Sequence, residues 1–241
     1  MASVIQFVGA GPGDPELITV KGKRLLETAD VIVYAGSLVN PALLGYAKEG
    51  TEIFNSASMT LQEVLDVMVP AAQADRAVVR LHTGDPSIYG AIQEQMDALD
   101  RVGISYEVVP GVSSFLATAA ALKQEYTLPD VSQTVIVTRM EGRTPVPPKE
   151  KLASLASHQA TMCIFLSVHM IQDVVDELLA GGYAPETPIA VVQRASWPDQ
   201  RILRGRLNDI AAKAAEEGVD STAMIVVGHC LDKEYELSRL Y

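Results

Sequence analysis

The sequence predicts an α/β protein of two domains. The first is built on a mainly parallel sheet with helices on both faces, the second on a mixed sheet with helices. Three observations carry this. Short apolar runs alternate with helical patterns over roughly the first 120 residues, the order that builds a parallel sheet covered on both sides. The segment from Lys123 to Asp130 then changes character and contains Pro129, which sets the domains at 1–122 and 133–241 with a linker at 123–132. Near the end, three consecutive strands follow with few helices between them, which suits a mixed sheet. At 241 residues the chain is long enough for two modest domains to bury a core each.

Val4 to Val8 forms the first strand and ends in Gly9-Ala10-Gly11-Pro12-Gly13-Asp14-Pro15. Thr19 caps a helix through Ala29, anchored by Leu25 and Leu26. Val31 to Tyr34 is a second strand, leading into the loop Ala35 to Pro41, and Thr51 to Phe54 is a short third. Thr60 and Glu63 make a capping box for a helix to about Ala74, bent or broken near Pro70. Ala77 to Leu81 is the next strand; Gly84 and Pro86 stop its pairing, and a helical pattern opens at Ile88 and runs toward Leu99. Ser105 to Val109 and an Ala-rich helix from Phe115 to Leu122 complete the first domain. Beyond the linker come a strand at Thr134 to Thr138, a proline-stiffened loop from Arg139 to Pro148, a strand at Met162 to Leu166 and a helix at His169 to Ala180. Strands at Pro188 to Val192 and Gln200 to Leu203, a helix at Asn208 to Glu217 and a last strand at Ala223 to Val227 close the chain.

Composition excludes several classes. With 48% hydrophobic and 20% charged residues the chain is globular rather than disordered. No apolar run is long enough to span a membrane, and MASVIQFVGAGPG lacks the basic start and unbroken apolar centre of a signal peptide, so a cytoplasmic location is expected. A formal net charge of -11 opposes binding to nucleic acid. Cys163 and Cys230 each sit in apolar stretches and read as core residues; the four histidines, His82, His158, His169 and His229, show no ligand spacing, so no metal site is expected.

Two loops stand where an open parallel sheet holds its ligand, beyond the carboxyl ends of strands. The first, after Val8, is glycine-rich, yet a dinucleotide fingerprint needs glycine where Asp14 stands, and Pro12 has no N–H for a pyrophosphate. No GxxxxGK[ST] occurs either. The loop therefore serves a different binding mode or is a tight connection. The second loop, Thr83-Gly84-Asp85, follows the strand containing Arg80 and His82.

Read together, GAGPGDPELIT from Gly9, RLHTGDPSIYG from Arg80 and VPGVSS from Val109 resemble the tetrapyrrole methylases, a class of S-adenosylmethionine enzymes. YAGSLVNPALL from Tyr34, EYTLPDVSQT from Glu125, EGRTPVP from Glu141, IFLSV from Ile164 and RASWPD from Arg194 resemble one branch of it, the precorrin-4 carbon-11 methyltransferases of cobalamin biosynthesis. The resemblance spans Val4 to Gly228. It implies the two-domain tetrapyrrole methylase fold, a homodimer, and S-adenosylmethionine held in the cleft between domains, leaving as S-adenosylhomocysteine. By motif, the cofactor positions are Pro12, Thr83, Gly84, Asp85, Ile88, Ser113, Ser114, Leu166 and Ala195. Thr83 stands where many members have glycine, and Ser113 and Ser114 where they have threonine or alanine, so the backbone contacts carry over more securely than the side-chain ones. Asp85 either binds ribose hydroxyls or the sulfonium charge, or caps the helix opening near Ile88.

Methyl transfer from a sulfonium to carbon is an in-line displacement that requires no metal or covalent enzyme intermediate. Positioning is worth roughly 7 to 11 kcal/mol, against roughly 3 to 5 for a general base. A precorrin carries several carboxylates, which an acidic protein must meet with local arginines: Arg80, Arg139, Arg143 and Arg194 fall at strand ends or loops. Tyr34 and Asn40 are further candidates to touch the macrocycle. His82, Tyr89 and Arg80 are the candidates for catalysis, His82 because its type titrates in the useful range. The rival expectations are another tetrapyrrole methylase, acting on a different precorrin carbon or on uroporphyrinogen III, and a noncatalytic cofactor- or tetrapyrrole-binding module. Whether the substrate already holds cobalt is open, with a lean toward the cobalt form.

Overall fold

The computed structural model describes residues 2–142, 144–232 and 237. Contacts divide the chain into two units, Met1–Ser114 and Phe115–Tyr241. The first unit holds β1 (Ile5–Gly9), α1 (Val20–Thr28), β2 (Val31–Tyr34), β3 (Glu52–Asn55), α2 (Leu61–Gln73), β4 (Val78–His82), α3 (Gln93–Arg101) and β5 (Tyr106–Val109). Its strands form one sheet in the order β3-β2-β4-β1-β5, parallel at every pairing. Alternation with period two supplies both faces. Ile5, Phe7, Val31, Val33 and Val78 pack with Val64, Met68 and Leu99 of α2 and α3. Val8, Ile32, Val79 and Leu81 pack on the other face with Leu26 of α1 and Leu43.

The second unit takes in Phe115 to Leu122 of α4 (Ser114–Leu122), then β6 (Val135–Arg139), α5 (Leu152–Ala156), β7 (Thr161–Phe165), α6 (Ile171–Ala180), β8 (Pro188–Gln193), β9 (Arg201–Arg206), α7 (Ile210–Glu216) and β10 (Ala223–Val227). Its sheet runs β6-β7-β10-β8-β9, parallel between β6 and β7 and antiparallel elsewhere. The mixed sheet expected from the sequence is thus present. One face, with Met162, Ile164, Ile189, Val191 and Ile225, is covered by α5, α6 and α7; the other, with Cys163, Ala190, Val192 and Val226, by α4, Tyr126 and Cys230. Both cysteines are free and buried. Burial pushes the Cys163 thiol up to about 12, which keeps it protonated and unreactive.

Local chemistry explains most boundaries. Thr19 Oγ1 accepts from Gly22 N at 3.0 Å and starts α1. Thr60 and Glu63 form the reciprocal capping box at α2. Of the bend or break expected at Pro70, the break is absent: Pro70 lies inside α2 without ending it, because Val64, Leu65 and Met68 before it and Ala71 and Ala72 after it are buried on one core. One start is corrected. The helix expected from Ile88 begins only at Gln93. Tyr89 and Ala91 adopt left-handed φ values of 55° and 50°, and a Cβ on Gly90 would run into the Pro86 carbonyl, so the chain turns tightly before it coils. Sequence periodicity also passes over α5, only five residues long, and ends β9 three residues early.

Candidate active site

β1 and β4 are neighbours at the centre of the first sheet, and their onward connections lead to β2 on one side and β5 on the other. Such a switch point opens a crevice at the carboxyl ends of the two strands. The loops after β1, β4 and β5 meet there on a joint made of glycines. Gly11 and Gly84 exchange backbone hydrogen bonds, 3.2 Å from Gly11 N to Gly84 O and 2.8 Å from Gly84 N to Gly11 O. A Cβ on Gly9 would lie 2.6 Å from Gly111 Cα and 2.7 Å from the Gly84 oxygen; one on Gly111 would overlap that same oxygen and stand 2.8 Å from Gly9 Cα. Neither position tolerates a side chain while the three loops stay where they are.

Gly84 is different. Its φ of +59° demands glycine conformationally, yet a Cβ would meet only Ser113 Cα at 3.6 Å and Ser114 N at 3.7 Å, ordinary contacts. Gly84 therefore lies directly beside the start of α4, and the structure brings Thr83, Gly84 and Asp85 together with Ser113 and Ser114. Pro12, in the loop after β1, and Ser113 are buried; Thr83, Asp85 and Ser114 are half-buried; Ile88 and Tyr89 are exposed.

Asp85 fastens this arrangement. Its Oδ1 accepts from Ser87 N at 2.8 Å and its Oδ2 from Gly111 N at 2.9 Å. The helix-capping alternative is thereby replaced, since α3 starts far from Asp85 and its N-cap position, Ile92, makes no side-chain cap. The carboxylate instead closes an Asx turn and ties the β4 loop to the β5 loop. Asn40 does the corresponding work after β2, donating from Nδ2 to Gly13 O at 2.8 Å and accepting from Ala42 N at 3.0 Å. Tyr34, at the end of β2, packs half-buried against the core under α1.

Arg80 and His82 point to the face of β4 that carries α2 and α3. Arg80 is 6% exposed; its Nε donates to Gln95 Oε1 at 3.0 Å and its Nη1 to Val33 O at 3.1 Å. Gln95 Nε2 passes the chain on to Ala91 O at 3.0 Å, so a buried guanidinium braces the tight turn that precedes α3. Burial lowers the Arg80 pKa to about 10, which leaves it charged at neutral pH. His82 stacks on Phe7 with ring centroids 6.0 Å apart, and among the described residues its Nε2 has no partner. Burial first, and the Arg80 charge second, hold its pKa down to about 3. The expectation that His82 titrates near neutrality is corrected: it is a neutral, weakly basic ring throughout the physiological range.

In the second unit, the pairing of β7 with β6 and β10, and of β10 with β8, puts the ends of β6, β7 and β8 at one end of the sheet. Arg139, Leu166, Arg194 and Ala195 collect there. Leu166, 58% exposed, and Arg194 adopt left-handed φ values of 55° and 50°, strain of the kind that gathers at functional loops. Arg139 donates to the Met140, Thr144 and Pro145 carbonyls of its own loop. Arg194 stacks over Trp197 and bonds Asp199. Arg143 lies outside the described residues. The residue pattern singled out neither Gly111 nor Gln95 nor Asp199. Gly111 carried a signal, as the glycine between proline and the serines, whereas Arg80–Gln95 joins residues on separate elements with no sequence spacing to betray it.

Residues 4–211 match the model of the family Tetrapyrrole (Corrin/Porphyrin) Methylases. The chain is 63% identical over 236 residues to a cobalt-precorrin-4 C(11)-methyltransferase of Methanocaldococcus jannaschii, covering 98% of this chain and 91% of that one. A solved cobalt precorrin-4 methyltransferase, described as a cobalamin biosynthetic enzyme, superimposes with a TM-score of 0.92 at 47% identity and 95% coverage of both chains. A uroporphyrin-III C-methyl transferase from Thermus thermophilus, complexed with S-adenyl homocysteine, matches with a TM-score of 0.79 at 30% identity, covering 98% of this chain and 96% of that chain.

Proposed function

Because the chain belongs to the tetrapyrrole methylase family, we propose that it transfers a methyl group from S-adenosylmethionine to carbon 11 of cobalt-precorrin-4 in cobalamin biosynthesis. The observation that carries this reading is the 63% identity, over 98% of the chain, to a relative named for that reaction. The cobalt form of the substrate is preferred on the same relative's name.

The first unit's loops fit the cofactor by their own chemistry. The glycine joint brings backbone close to backbone without side chains between, and leaves Thr83, Ser113 and Ser114 as adjoining hydroxyl-bearing residues at a sheet switch point. Thr83, Gly84, Asp85, Ile88, Ser113, Ser114 and Pro12 are assigned to hold it from that unit. Leu166, an exposed apolar side chain, and the Ala195 backbone suit the adenine. When bound, S-adenosylmethionine supplies an electrophilic methyl group on a sulfonium. The chain's residues then bind and orient: Tyr34, Asn40, Tyr89 and the arginines of the second unit are assigned to the pigment. Arg80 acts through the turn it braces, and His82 through the sheet face it fills against Phe7. A neutral His82 fits a reaction in which alignment contributes more than proton transfer.

The test is transfer itself. Purified chain, methyl-labelled S-adenosylmethionine and cobalt-precorrin-4 should give label on carbon 11, read by NMR of the isolated pigment. Label on another carbon, or on uroporphyrinogen III in preference, assigns the chain to another branch of the family; binding of both ligands without transfer makes it a binding module. The family resemblance also supports a homodimer in the cytoplasm. Sedimentation velocity checks the first; among the described residues no helix is long and apolar enough to cross a membrane.

A further inference from the structure

Of the four arginines that the sequence offers to an anionic substrate, the three described have different engagements. Arg80 is buried and bonded to Gln95 and Val33, and Arg139 donates from both terminal amino groups to carbonyls of its own loop. Arg194 is held without being used up. Its Nε donates to Asp199 Oδ1 at 2.7 Å, and its guanidinium carbon lies over the Trp197 ring, 4.0 Å from the centroid. Among the described residues, neither of its terminal amino groups has a hydrogen-bond partner.

The backbone underneath is equally fixed. Arg194 N donates to Thr222 O at 2.8 Å, Trp197 N to Arg194 O at 3.0 Å and Gln200 N to Trp197 O at 3.1 Å, while Gln200 Oε1 accepts from Ser196 N at 2.8 Å. Arg194 and Ser196 both sit at left-handed φ, 50° and 68°. The strain, the loop hydrogen bonds, the ring beneath and the carboxylate behind all serve to aim one side chain, which is only half-buried. A guanidinium fixed at Nε and on one face presents its two terminal amino groups as a planar fork, the geometry that matches a carboxylate with two parallel hydrogen bonds.

We propose that Arg194 is a carboxylate-binding fork of the methyl-transfer site, with Asp199 and Trp197 as its positioning residues. This rests on the proposed function and deepens it, for a precorrin brings several peripheral carboxylates. The methionine end of the cofactor brings one as well, and that is the other source of the same chemistry. The pigment is the expected one. Preorganisation is what Asp199 and Trp197 contribute: they fix the rotamer in advance, so less freedom is lost when the anion binds.

The experiment uses the full chain with Arg194→Lys, Asp199→Ala, Asp199→Glu and Trp197→Phe. Steady-state methyl transfer to cobalt-precorrin-4 gives kcat and KM, calorimetry with S-adenosylhomocysteine gives cofactor affinity, and a thermal melt checks folding. Arg194→Lys keeps the charge but loses the fork, and should raise the KM for pigment about tenfold or more with kcat little changed. Asp199→Ala should raise it by a smaller factor that Asp199→Glu partly restores, a split that mere loss of loop stability does not produce. If cofactor affinity falls instead and the pigment KM holds, the fork binds the methionine carboxylate. Unchanged KM and unchanged cofactor affinity in both Arg194→Lys and Asp199→Ala overturn the proposal. Should the parent chain transfer no methyl, the proposed function fails separately. The fork is then judged by equilibrium binding of uroporphyrin III and of S-adenosylhomocysteine. Trp197 is the only tryptophan, so its fluorescence reports directly on the ring under Arg194, and equal affinities in parent and Arg194→Lys would again overturn it.

Discussion

Single side chains in the first unit have separable jobs. Asp85 joins two loops through Ser87 N and Gly111 N; Asp85→Ala should cost about 1 to 3 kcal/mol of stability, since two backbone donors lose their acceptor. Asp85→Asn keeps one acceptor and should fall between, in urea unfolding followed by circular dichroism. Glycines at the joint should divide by geometry. Gly111→Ala forces a Cβ into the Gly84 oxygen and should weaken binding of S-adenosylhomocysteine at least tenfold in calorimetry, whereas Gly45→Ala, with nothing within 4 Å of its Cβ, should leave it unchanged. His82 gives a pH prediction. Its folded pKa, about 3, lies below the unfolded value of 6.5, so between those values the unfolded chain binds the extra proton. The stability this residue contributes is full above pH 6.5 and falls by roughly 1.4 kcal/mol per pH unit as the pH drops toward 3. His82→Phe should flatten the slope of unfolding free energy between pH 6 and 4.5, a window above most carboxylate titrations; parallel slopes in the two proteins would rule out this burial effect.

At the level of elements, the decisive pairing is β4 with α3. Gln95 on α3 satisfies Arg80 on β4 and then holds Ala91 O, so the helix, the strand and the turn between them form one unit of polar packing. Gln95→Leu should cost about 2 to 3 kcal/mol because it strands a buried charged donor. Adding Arg80→Met should recover part of that loss, and a double-mutant cycle in urea checks the sign of the coupling. These elements also mark the limit of what the residues disclose by themselves. Both sheets, the Thr60–Glu63 capping box and the loops beyond β1, β4 and β5 are legible, because period-two burial, cap chemistry and glycine punctuation act over a few neighbouring residues. The start of α3 is not, because the left-handed Tyr89 and Ala91 are set by the fit of the turn against β4. Nor is the partner of Arg80, fifteen residues away on another element. Arg194 and Asp199 share one loop, but only the folded turn shows that these residues, five positions apart, come together.

For the molecule as a whole, charge opposes the proposed substrate. A net charge of -11 repels a polycarboxylate at long range, while a few arginines attract it at short range. Salt screens the long-range part first. kcat/KM for pigment should therefore rise as ionic strength increases from about 0.01 M toward about 0.1 M, where the screening length approaches 10 Å; a monotonic fall over that range would mean that local attraction governs encounter as well as binding. The reciprocal bond between Gly11 and Gly84 has a consequence of another kind. Two buried amides that belong to loops are paired as if in a ladder, so their hydrogens should be replaced by deuterium far more slowly than those of Ser87 and Ile88 nearby, which are exposed and bond only within their own turn. They offer two backbone signals from which the opening of the joint between the β1 and β4 loops can be followed over time, with no ligand added.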